Sequence, residues 1–138
     1  MDKIIDMKFM RYLNLFEKVS RVRTKNCSVY NSNIIFFVEQ RDVPKAIGED
    51  GRNIRRIGEI LNKKVRVVAL PAGARDVSRF IEAIIYPVKF RGIEINDSEI
   101  IINAGRLSKA SLIGRNRCRI EELEKITKEY LNKGVRIV

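Results

Sequence analysis

The chain has 138 residues, 45% of them hydrophobic, and carries a formal net charge of +11 with no histidine. That length holds one ordinary domain or two very small ones, and the apolar fraction argues against disorder. The positive surplus is present in both halves of the sequence and favours a polyanionic partner such as nucleic acid, while the lack of histidine removes His-based acid-base chemistry, His metal ligands and Ser-His or Cys-His nucleophile pairs.

Residues 4–20 place Phe9, Tyr12, Leu13 and Phe16 at spacings of three and four, which predicts an amphipathic helix. CSVY (27–30) and NIIFFVE (33–39) read as two short strands around Asn31 and Ser32. A short helix over Val43–Ile47 leads into the glycine turn GEDG (48–51). Beyond it, Ile54, Ile57, Ile60 and Leu61 mark one face of a longer helix ending near Asn62, and VRVVAL (65–70) follows as a strand. After Pro71 and Gly73 the order returns: a helix over 75–86, strands near 88–96 and 99–104, a short helix over 107–113, a long helix over about 117–132, and GVRIV as the last strand. Domains over 1–72 and 73–138, each α-β-β-α-α-β, are expected.

Shifting the chain against itself by 66 residues supports this division. Residues 33–60 then fall on 99–126 without a gap, with Ile34, Ile35, Ile47, Gly48, Ile54 and Ile60 over identical residues. Apolar runs such as IIFFV (34–38) are far shorter than the ~20 residues that cross a bilayer, and MDKIIDMKFMRYL lacks a signal peptide's apolar core. A cytoplasmic location with no membrane partner is expected. Cys27 and Cys118 are too few for a disulfide framework or an unaided zinc site, and read as reduced packing residues.

IGEDGRNIRRIGEILNKKVRVV (47–68), a helix-GxxG-helix element followed by a strand on a basic chain, resembles the K-homology RNA-binding domain. With a helix and a strand placed first, each unit looks like the type II arrangement. Two such units in tandem resemble the paired K-homology region of the NusA transcription factors, most of all the short archaeal NusA-like proteins, and the likeness covers nearly the whole chain. The N-terminal polymerase-binding domain of bacterial relatives has no room here, so functions that depend on it are not carried over.

The resemblance implies an α+β fold of two type II K-homology domains, each a three-stranded sheet packed by helices. It implies binding of single-stranded RNA, and a role on nascent transcripts in the elongation, termination or antitermination of transcription. RNA polymerase is the second partner it brings in; no cofactor, metal or catalysis is expected, and the chain is read as a monomer. A degenerate pair acting as a protein-interaction module on RNA polymerase or a ribosomal assembly is the alternative. A metal-dependent nuclease is disfavoured, because neighbouring carboxylates such as Glu121 and Glu122 do not face each other on a helix.

Within the first turn, Gly48 and Gly51 leave the backbone open to a sugar-phosphate chain, and the helix start behind them favours anions. Glu49 and Asp50 are unexpected there and read as N-terminal capping residues. The missing positive charge is then supplied by Arg52, Arg55 and Arg56 at i, i+3 and i+4, away from the apolar stripe, with Lys45 flanking the groove. Phe36 and Phe37 are adjacent, so only one can face a given side of a sheet, and both read as core. In the second turn, Gly114-Arg115-Asn116-Arg117, arginine replaces the second glycine. A Cβ at 117 works against close approach of a phosphate, while Arg115, Arg117 and Arg119 offer three guanidinium groups suited to bidentate phosphate contact.

Overall fold

The computed structural model describes residues 7–24 and 26–138. It is an α+β chain with two three-stranded sheets, and it divides into two compact units, one up to Asp76 and one over Val77–Val138. No helix among the described residues is long and apolar enough to cross a membrane.

Unit 1 opens with α1 (Met7–Ser20); the residues 4–6 expected to begin this helix lie outside those described. Tyr12 and Phe16 are buried and Phe9 and Leu13 pack beside them, as the periodicity predicts. Ser20 ends the helix: its hydroxyl donates to the Phe16 carbonyl at 2.6 Å and accepts the Val22 amide at 3.2 Å, and Arg21 turns left-handed. This buried hydroxyl competes with the next helical bond for the backbone.

β1 (Cys27–Tyr30) and β2 (Asn33–Val38) form an antiparallel hairpin. Asn31 and Ser32 between them have φ of 52° and 64°, the paired positive values of the tight turn whose twist matches that of the strands. α2 (Val43–Ile47) and α3 (Arg52–Leu61) then cross back so that β3 (Lys64–Ala69) runs parallel to β2. β2 is the central strand and is buried from Ile34 to Val38, which explains its unbroken apolar run. Ile34, Phe36 and Val38 face the helices, where the Phe16 and Phe36 rings stack at 4.3 Å. Phe37 is buried as well, so neither phenylalanine presents a ring to a base.

Unit 2 contains α4 (Val77–Ile85), β4 (Gly92–Ile95), β5 (Glu99–Asn103), α5 (Arg106–Ile113), α6 (Cys118–Leu131) and β6 (Gly134–Ile137). β4 and β5 are antiparallel and β5 and β6 parallel, repeating the topology of unit 1. Two boundaries differ from expectation. Residues 74–76 form a separate 3-10 turn before α4. β4 begins at Gly92 instead of near 88, because its partner β5 ends at Asn103, opposite Gly92, leaving earlier residues no ladder to join. Cys27 is buried, Cys118 is half-buried and both are free.

α6 has 14 residues against 10 in α3, one additional helical turn. The offset between the units is therefore 66 residues through the glycine turn and 70 from the helix C-cap onward, where Asn62 and Asn132 are both left-handed.

Candidate nucleic-acid interface

The two glycine turns differ in sequence and share one backbone path. Gly48 has φ 82° and ψ 168°, followed by Asp50 at 55° and 29° and Gly51 at 73° and 17°. In the second turn Gly114 has 74° and 171°, Asn116 has 55° and 31°, and Arg117 has 63° and 20°. The region occupied by Gly48 and Gly114 is essentially closed to other residues. Packing adds a second restriction: a Cβ on Gly48 would lie 2.8 Å from Asn53 Cγ, and one on Gly114 would lie 2.7 Å from Arg119 Cγ. Asn53 is held in place by donating its side-chain amide to the Lys45 carbonyl at 3.0 Å, which ties α2 to α3.

These angles also account for the acidic residue in GEDG. Position 50 is left-handed, where Asp and Asn are tolerated better than most side chains, and Asn116 occupies the same position in the second turn. The expected capping role is not seen, since no side chain caps the short 3-10 turn Glu49–Gly51 or α3. Local conformation, not helix capping, selects Asp50.

Arginine at 117 keeps the shape of the turn at an energetic cost of about 1 kcal/mol for a left-handed non-glycine residue. Arg117→Gly should therefore raise the unfolding midpoint of unit 2 slightly, by a net gain below about 1 kcal/mol after the greater freedom of glycine in the unfolded chain is counted. A lowered midpoint in thermal denaturation would show that the arginine side chain contributes more than its backbone costs.

Lys45, Glu49, Asp50, Arg52, Arg55 and Arg56 are exposed around the first turn, and the three arginines have no ion-pair partner among the described residues. Arg55 also lines a groove of about 620 Å³ between α3 and β3. Ile54 and Val65 form part of its apolar floor; Asn33, Lys63, Lys64 and Arg66 stand on the strand side. Those last four were not singled out from the sequence. The basic run KKVR was visible there, but only the fold shows that it shares a groove with Arg55, and the pairing of Asn33 with Lys64 adds Asn33 to it.

Arg115, Asn116 and Arg117 are exposed in the second turn. Arg119 departs from expectation: it packs over Gly114 and its guanidinium is 2.7 Å from Glu122. One turn of helix separates these two residues, so the carboxylate is a local partner that sequence spacing alone already permits. Two arginines, not three, are left at this turn for an external anion.

No family model matches the chain. Among known proteins it is similar to a probable transcription termination protein NusA of Methanocaldococcus jannaschii, with 25% identity over 122 residues that cover 86% of this chain and 65% of that protein. A protein of the same description from Halococcus morrhuae is 24% identical over 126 residues, covering 89% and 88%. The chain thus spans about two thirds of the first relative and most of the second. In fold it is similar to the crystal structure of APE1850, with a TM-score of 0.66 and 24% identity over 97% of this chain and 100% of that one.

Proposed function

We propose that the chain is a non-catalytic NusA-like factor whose two units are type II K-homology domains holding single-stranded RNA, acting on nascent transcripts in transcription elongation or termination, with RNA polymerase as a second partner. The observation that carries this reading is the preserved turn: GEDG and GRNR have little sequence in common, yet both bend through the same left-handed residues next to exposed arginines. A mere packing corner would not require two different sequences to keep so costly a path. The names of the archaeal relatives supply the transcriptional context.

Each glycine turn, in this reading, lies against a stretch of about four nucleotides. Lys45, Arg52, Arg55 and Arg56 neutralise phosphates at the first turn, and Arg115 and Arg117 at the second. Gly48, Gly51 and Gly114 shape the approach, Glu49 and Asp50 face solvent beside it, and Arg119 supports the turn from within. Binding through phosphates releases counterions, so affinity for a single-stranded oligouridylate should fall by up to about twentyfold as salt is doubled. Fluorescence anisotropy over a salt series measures this directly. Affinity that ignores salt would remove the phosphate contacts, and with them the reading.

A further inference from the structure

We infer that the two units divide the RNA between them: both turns hold phosphate, but only the α3/β3 groove of unit 1 admits a base. This rests on the RNA-binding reading above and concerns what the matched surfaces of the two units offer a nucleotide.

The apolar floor differs first. Ile54 and Val65 are only half-buried and open into the groove, whereas their counterparts Ile120 and Val135 are 5% and 8% exposed. In unit 2 these two positions give a base almost no apolar surface to lie on. Gly58 gives the unit 1 groove part of its width, and the residue matching it, counted from the turn, is Glu124, which is paired with Lys128 at 3.2 Å.

The rim differs in charge. Arg55, Lys63, Lys64 and Arg66 line the unit 1 groove against a single acidic residue, Glu59. In unit 2 Arg55 is matched by Glu121 and Asn33 by Glu99. Glu59 is matched by the exposed Lys125, while the two basic residues on the strand side are paired at the surface. Arg136, the counterpart of Arg66, lies 3.2 Å from Glu99, and Lys133, the counterpart of Lys63, donates to the Asn96 carbonyl. Entry of a nucleotide would separate these pairs and place its phosphates near carboxylates, an unfavourable exchange. The exposed Arg115 and Arg117 lie at the turn, apart from those pairs, and remain able to hold phosphate.

The test is photo-crosslinking of the full chain to a single-stranded oligouridylate of about ten nucleotides carrying 4-thiouridine, enough for two four-nucleotide footprints. Crosslinked peptides are mapped by mass spectrometry. Crosslinks should fall within 33–66 and be at least about tenfold weaker within 99–136, the discrimination that one lost base contact supplies. The paired exchange Glu99→Asn with Glu121→Arg should raise crosslinking in unit 2, and Asn33→Glu with Arg55→Glu should reduce it in unit 1. Equal crosslinking of both grooves in the wild type, or crosslinks that do not move with the exchanges, would overturn the division while leaving RNA binding in place. No crosslink and no retention of the RNA would overturn the RNA-binding reading, and the division with it.

Discussion

Gly51→Asp should lower the affinity of the full chain for single-stranded oligouridylate by roughly thirtyfold while leaving it folded. A Cβ built on Gly51 meets nothing closer than Ile54, at 3.8 Å and 3.9 Å, and Ile54 belongs to the floor of the α3/β3 groove. A side chain at 51 therefore starts beside a residue of that floor, whereas neither Glu49 nor Asp50 lines the groove. Two unit charges about 4 Å apart repel by about 4 kcal/mol at an effective dielectric near 20, and half of that after screening gives the stated loss. Stability should fall by no more than about 1 kcal/mol, because φ of 73° is a left-handed conformation that Asp tolerates better than most residues, as it does at position 50. Gly51→Asn is the control, with similar bulk and no charge, and it should bind between the wild type and Gly51→Asp. Anisotropy gives affinity and circular dichroism gives the midpoint. A folded Gly51→Asp variant with wild-type affinity would remove GEDG from the interface.

Gly48→Ala should act on the fold instead, destabilising unit 1 by about 2–4 kcal/mol, a large share of the 5–15 kcal/mol typical of a domain. Two causes combine. The torsions of 82° and 168° are strained for any residue with a Cβ, and that Cβ would fall 2.8–3.0 Å from Asn53 Cγ, Nδ2 and backbone N. Moving the Asn53 side chain away relieves part of the clash and breaks its bond to the Lys45 carbonyl. Asn53→Ala alone should lose about 1 kcal/mol for that bond. In the double variant the clash with the Asn53 side chain should be recovered, while the contact with its backbone N and the torsional part should not, so the two losses will not add. Chemical denaturation of the four proteins reads the cycle; a wild-type midpoint for Gly48→Ala would show that the turn can adopt another path. RNA binding lost by Gly48→Ala reports a damaged turn, which is why Gly51 is the better probe of contact.

Much of this architecture is legible in the sequence because it is encoded locally. Helical spacing in α1 and α3, the central apolar strand β2 and the internal offset of 66 residues each follow from residues close together in the chain. Residues that tolerate positive φ mark the hairpin at Asn31 and Ser32 and the helix ends at Asn62 and Asn132. The boundary at Gly92 was not legible, because strand length there depends on where the distant β5 stops.

The functional surface divides along the same line. The glycine turns and their arginines could be found from spacing, since a turn and the first helical residues after it are neighbours. The shape of GRNR could not, because nothing in the letters says that Arg117 accepts the left-handed conformation of Gly51; the surrounding helices α5 and α6 hold it there. Arg119 was read as a third guanidinium for phosphate, and in the fold it is half-buried beside Gly114 and paired with Glu122. Most of all, sequence alone shows that both units carry the same turn, whereas only tertiary structure shows the groove beside the first, between α3 and β3. Ile54 and Ile120 are the same residue at the same place in the repeat, yet one is half-buried and the other 5% exposed, because burial depends on neighbours that the letters around a residue do not name.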